Sequence, residues 1–423
     1  MKLFQVVVLF LTSLCNVNAL DVRYPVSAIP DSLKSGMYAV VRDDNERFEI
    51  ISRNKSALSV RHVITILNAK AKNYASMTIF YDKDTGITLF KATVYDAEGK
   101  EIRKLKQSEI TDQSAISGYS LYEDGRIKHV DMSQPVYPYT VEFEVEYKFD
   151  FLYFIPDFTL FTDDEISIQN STYTVTYPKA LKPRFKLTHI SEPARTNSGD
   201  QETVSWNFNN RKPEKVEPFS PPLAKRVPNI KAGPSDFEFG GYAGNMSTWK
   251  EYGMWQLLLN QHRSDLSQET KQMIRRLVEG LPTQEQKARA IYKFLQDKTR
   301  YVSIQLGIGG WQPLPASVVD KTSYGDCKAL SNYMVALLNA ADIKGYYTTI
   351  KAGRNVNDMA PDFSSNQSKS HHCCCTEWSR HFVVRMYKSN NTVWLFGNIY
   401  RGSICIVGSG RWRENCKNSF VLG

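Results

Sequence analysis

Tyr324-Gly325-Asp326-Cys327-Lys328-Ala329-Leu330 is the stretch on which the second half of this chain turns, because a loop there becomes a helix. Asp326 has the short carboxylate of an N-cap, and Leu330, Tyr333, Met334, Leu337 and Leu338 recur with a period near 3.6, so a helix is expected from Cys327 to about Ala341 with that stripe inward. Free N–H groups and the helix dipole favour negative charge at such a position. Cys327 should therefore ionise below the value of about 8.5 typical of a free thiol. The same N–H groups can hold the oxyanion formed when sulfur attacks an amide or ester carbonyl. Gly325 lets the chain pack closely beside the sulfur. The competing reading is a buried, inert cysteine. Cys327 is the only cysteine between the first twenty residues and position 372, and a lone thiol flanked by Asp and Lys at a helix start makes a poor core residue.

Upstream, Ser267 to Leu281 carries Met273, Ile274, Leu277 and Leu281 on one side. Thr283-Gln284-Glu285-Gln286 then forms a capping box for a helix with Ala290, Ile291, Phe294 and Leu295 as its apolar stripe. Two helices are thus expected before the cysteine, and a strand, Tyr346 to Ile350, after its helix.

Further toward the N-terminus the period drops to two. In Tyr139 to Tyr147, Tyr139, Val141, Phe143, Val145 and Tyr147 alternate with Thr140, Glu142, Glu144 and Glu146, which predicts one buried face and one solvated face. Similar runs at 60–66, 77–81, 87–95 and 173–177, separated by polar turns, predict an antiparallel β-sandwich over 20–210. His62, His129 and His189 lie in it without metal-like spacing and read as ordinary strand or turn residues. Six prolines between Arg211 and Phe237 suit a connector laid along the surface over 211–240. The fold class is therefore α+β, a β-sandwich followed by a second core over 241–367.

Residues 1–19, with Lys2, an apolar run to Leu14 and Val17-Asn18-Ala19, read as a signal peptide. That predicts an exported, periplasmic or cell-surface protein. No later stretch approaches the about 20 apolar residues of a transmembrane helix, so no membrane anchor is expected. The net charge of +9 raises the question of nucleic acid, but residues 368–423 hold eight Lys and Arg against two Glu and account for most of it. Neither nucleic acid nor a cofactor is expected, and the oligomeric state is not encoded here.

Tyr301-Val302-Ser303-Ile304-Gln305-Leu306-Gly307-Ile308-Gly309-Gly310-Trp311-Gln312-Pro313, followed by Pro315-Ala316 and the cysteine motif, resembles the transglutaminase-like superfamily. More closely, it resembles bacterial exported proteins that join an N-terminal domain of unknown function, DUF3857, to such a core. The resemblance implies a papain-like Cys-His-acid apparatus, with the nucleophile on a helix packed against a sheet that supplies the other two residues. Cys327 matches the nucleophile. Trp311, Gln312 and Asp326 are candidates for substrate positioning or oxyanion stabilisation, with Trp311 equally readable as a packing residue. The family includes amide cross-linkers, peptide hydrolases and proteins without known activity, so a peptide or protein substrate is implied but not its identity. The other reading is a non-catalytic peptide- or glycan-binding module built on a scaffold core.

After Gln367 the sequence departs from what the resemblance implies. An Asn-His step, a buried strand and a Trp-Leu-Glu or Trp-Leu-Asp segment are expected. The chain reads Ser368-Lys369-Ser370-His371-His372-Cys373-Cys374-Cys375, and five of its seven cysteines follow residue 372. A one-base frameshift near Gln367 accounts for this. Read one base later, the codons permit Leu-Asn-His, then Ile-Ile-Val-Val-Val-Pro-Asn-Gly, then Ala-Asp-Ile-Leu-Trp-Leu-Glu-Cys-Thr-Ser. Residues 368–423 are on this reading an out-of-frame tail. A metal site at His371, His372 and the cysteines is disfavoured, because adjacent residues cannot all turn toward one ion. His371 or His372 as a substitute base is disfavoured by loss of the strand that would hold it.

Overall fold

Tyr139, Val141, Phe143 and Val145 are buried, as the alternation requires, but so are Thr140 and Glu142 on the face expected to be solvated. The reason lies in what covers them. Tyr95 donates to Glu142 at 2.7 Å, Arg61 bridges Glu142 and Asp43, and Tyr24 of the N-terminal segment caps Arg61. Paired polar groups of this kind can be buried at little net cost.

The computed structural model describes residues 22–115, 120–214, 217–221, 223–351, 360–367, 370–376, 382–385, 405–406 and 420–422; the 1–19 leader and most of the 368–423 tail lie outside them. The β-rich part is organised on eight strands, β1 (Ala39–Ser52), β2 (Lys55–Ile66), β3 (Thr85–Tyr95), β4 (Glu101–Lys104), β5 (Tyr139–Phe149), β6 (Ile166–Pro178), β7 (Ala194–Ser198) and β8 (Gln201–Arg211). They lie in the order β7-β8-β6-β1-β2-β5-β3-β4. All pairings are antiparallel except β1 with β6, which is parallel. Two three-stranded sheets accompany it, 76–81 with 126–131 and 111–114, and 158–159 with 229–233 and 184–188. His62 meets Asp44, His129 meets Thr78 and His189 sits at positive φ in a turn, ordinary positions as expected.

The segment expected as a surface connector is partly core. Asn229–Gly233 and Asp236–Phe239 are strands, and Ile230, Ala232, Phe237 and Phe239 are buried. The prolines flank these strands, where a missing N–H does no harm.

Among the described residues beyond 240 there are five α-helices: α1 (Trp249–Asn260), α2 (Gln268–Leu277), α3 (Gln284–Lys298), α4 (Ala316–Thr322) and α5 (Cys327–Ala340). Four precede the cysteine rather than the expected two. α1 was hidden by its composition: it buries one face through Trp249, Tyr252, Trp255 and Leu259, but Met254 and Leu258 on the exposed face are apolar too, so no polar stripe can be read. The Thr283–Gln286 capping box is present, but α3 buries Ala288, Ile291, Tyr292 and Leu295, a stripe turned slightly from the one expected. On α2 Ile274 is buried and Leu277 is exposed. Two cores result. One runs through the sheets, the 229–239 strands and α1 as far as Tyr347; the other lies among α2, α3, α4 and α5.

The helix α5 packs on a sheet ordered 382–385, 370–376, 345–351, 420–422, 405–406. The expected strand after the helix is Gly345–Lys351, and Ser370–Thr376 pairs antiparallel beside it. The flanking strand whose loss argued against a histidine at 371 or 372 is therefore in place.

Candidate active site

Cys327 opens α5 as the sequence requires. Asp326 is extended, and its Oδ1 accepts the N–H of Ala329 at 2.9 Å. Its other oxygen accepts from Lys328, whose side chain folds back over the cap and is 1% exposed. With both oxygens engaged, Asp326 holds the helix start and its lysine rather than a substrate. The spacing of Asp326 and Lys328 was visible in the sequence, but burial of the lysine was not.

Gly325 permits the tight turn. A Cβ there would lie 2.8 Å from the Cβ of Ala329 and 3.4 Å from Cγ2 of Val319. Opposite it, Arg300–Tyr301 runs parallel to Tyr324–Gly325, with Tyr301 beside Gly325 and the N–H of Val302 donating to Gly325 at 3.0 Å. This brings the half-buried Tyr301 onto the nucleophile. Its hydroxyl donates to the Cys327 sulfur and accepts from the Cys327 backbone N–H. Desolvation first, then charge on Cys327 and Asp326, holds the phenol well above its ordinary value, so Tyr301 remains a donor at neutral pH. Tyr301 opens the 301–313 motif, and nothing local in the sequence points to this role. Tyr347 closes the far side, fully buried, its phenol pushed well up by desolvation and then by Cys327 and Asp326. Cys327 itself is 7% exposed and free of any disulfide.

The other candidates separate from the sulfur. Gln312 donates its amide hydrogens to the Tyr242 hydroxyl at 3.0 Å and to the Leu259 carbonyl at 3.2 Å, so both are committed. Trp311 packs edge-on against Phe239 at 4.6 Å and Tyr153 at 5.3 Å, the packing role left open above. His371 falls opposite Ile350 and His372 opposite Thr349. Among the described residues no group of three or more His, Cys, Asp or Glu is placed to hold a metal ion. No helix of the described residues is long and apolar enough to cross a membrane.

A helix-borne cysteine beside a strand, with a sheet at its back, is the arrangement the motif implied. Residues 271–396 match the transglutaminase-like superfamily, and residues 52–215 match DUF3857, a domain of unknown function. The chain joins a DUF3857 domain to a transglutaminase-like core. The match to the core continues past Gln367, through the 370–376 strand. Among solved structures, a "putative protease" from Parabacteroides distasonis is 13% identical, with a TM-score of 0.63 over 83% of this chain and 67% of its own, and so shares the fold. A "putative cysteine protease" from Cytophaga hutchinsonii is 9% identical over 78% of this chain and 74% of its own, at a TM-score of 0.22. An M1 zinc metallopeptidase from Deinococcus radiodurans is 10% identical over 52% and 50%, at 0.24. Superpositions that loose define no shared fold. No curated protein sequence matches the chain.

Proposed function

We propose that the transglutaminase-like core carries out acyl transfer or hydrolysis at amide bonds of peptide or protein substrates in the exported space, with Cys327 as nucleophile. The observation that carries this reading is the Tyr301 hydroxyl, which donates to the Cys327 sulfur and accepts from the Cys327 N–H at the start of α5. The thiolate forms a bond to the carbonyl carbon, and the displaced π electrons collect on oxygen, which then replaces the sulfur and the phenol as the partner of the Tyr301 hydroxyl and the Cys327 N–H. As the intermediate collapses the C–N bond breaks, and ammonia or an amine leaves with the proton that the base took from the Cys327 thiol. Water or a second amine then attacks the thioester, and the thiolate is restored.

In the chain as it stands, His371 and His372, on the strand that pairs with Gly345–Lys351, are the weak substitutes for the base. The base is also where this chain is weakest. We read 368–423 as out of frame, so that the in-frame product would carry the Asn-His and Trp-Leu-Glu segments and this chain would be impaired. A nucleotide read across codon 367 checks that reading directly, and codons that do not spell the alternative remove it. The activity is tested by incubating the protein with a glutamine-containing peptide and a fluorescent primary amine. Release of ammonia or incorporation of amine, lost in Cys327→Ala, is expected, most strongly in the in-frame product. An in-frame product as inert as Cys327→Ala would overturn the acyl-transfer reading.

A further inference from the structure

The DUF3857 part holds a second cluster, on the inner face of the eight-stranded sheet and apart from Cys327. Asp44 and Glu46 lie two residues apart on β1. Ser171 of β6 stands in register with Asp44, and His62 of β2 stands on Asp44's other side. His62 meets only one oxygen of Asp44, at 2.9 Å. Ser171 is 2% exposed, yet its hydroxyl has no hydrogen-bond partner among the described residues, and the same holds for the buried Oε1 of Glu46. Register surrounds these groups with rings: Tyr173 beside Glu46, Phe208 beside Ser171 and Phe143 beside His62, all buried. Asp44 and His62 retain 33% and 26% side-chain exposure, so the cluster is reached from solvent at that end.

We propose that this cluster is a binding site for a primary ammonium group carried on a peptide or amine. An ammonium has three N–H donors, and the cluster offers three acceptors without another use: Oε1 of Glu46, the Ser171 hydroxyl and the second oxygen of Asp44. Aromatic residues at three neighbouring register positions suit a cation further. A hard metal ion would ask for six or more oxygens, which the cluster lacks. Without a ligand, burial and then the charge of Asp44 push the Glu46 carboxyl up to about 8, so that it is mostly protonated at pH 7. Ammonium binding should therefore expel that proton to the buffer as the carboxylate forms.

Calorimetric titration of the full chain at pH 7, in two buffers of different ionisation enthalpy, tests this. The probes are Nα-acetyl-lysine methylamide and alanyl-alanine amide, which separate a lysine side chain from a peptide amino terminus; Nα,Nε-diacetyl-lysine methylamide, which has no primary ammonium, is the control. Saturable binding of either probe, with release of about one proton, is expected. Glu46→Gln copies the protonated carboxyl and should fold as the native chain does while weakening binding at least tenfold. Ser171→Ala should weaken it less. Absence of saturable binding, binding without proton release, or equal affinity in Glu46→Gln would overturn the proposal and leave a polar pair bridged by solvent.

Discussion

Tyr301 carries the account at the scale of single residues. If its hydroxyl serves the oxyanion, Tyr301→Phe should lower kcat on the order of a hundredfold while changing stability by no more than about 1 kcal/mol. Steady-state kinetics alongside denaturant unfolding would separate those effects, and an unchanged kcat would reduce Tyr301 to packing. Cys327 and its cap were legible because capping follows a local rule. Tyr301 was not, since only the pairing of 300–301 with 324–325 brings it to the sulfur. Gln312 and Trp311 misled for the same reason, their partners Tyr242, Leu259, Phe239 and Tyr153 being remote in sequence. Glu46 gives a pH dependence of uncommon sign. Its folded-state value of about 8 lies above the ordinary 4.5, so the native state holds the extra proton between those limits. Stability should accordingly fall as pH rises through that window, by at most about 1.4 kcal/mol per unit. Glu46→Gln should flatten that part of the profile in urea melts across pH 5 to 8.

At the scale of elements, the start of α5 depends on a residue without a side chain. Gly325→Ala would force a Cβ into the first turn at Ala329, and a stability loss of about 1–3 kcal/mol is expected, with Cys327 displaced from Tyr301. Chemical denaturation and thiol labelling of the variant check the two effects separately; a variant with native stability would contradict the packing. Helices with a polar face and a cap, α3 and α5, could be read from sequence. α1 could not, because its exposed face carries Met254 and Leu258 and so lacks the polar stripe that makes an amphipathic signal. The strands at 229–233 and 236–239 were obscured by prolines that turn out to sit beside them.

For the whole molecule, two parts that sequence separates at a proline-rich stretch share one core. Tyr153 of the β-rich part touches Tyr252, Trp255 and Trp311, and Arg184 donates to the carbonyls of Pro234, Met246 and Ser364. Thermal unfolding should therefore show one cooperative transition for the DUF3857 domain and α1. Trp255→Ala should lower it by about 3–5 kcal/mol, and independent melting of the two would contradict a common core. The β-rich part also reaches the site through Ser303–Gln305, which pairs in parallel with Ser120–Glu123 just beyond Tyr301. The most direct test of the nucleophile is the pH profile of Cys327 alkylation by iodoacetamide, resolved by peptide mass spectrometry with the tail cysteines as internal references. Half-maximal reaction below the ~8.5 of a free thiol, and below that of the tail cysteines, is the predicted result. A Cys327 that stays unmodified in the folded protein, or reacts only above that value, would contradict it.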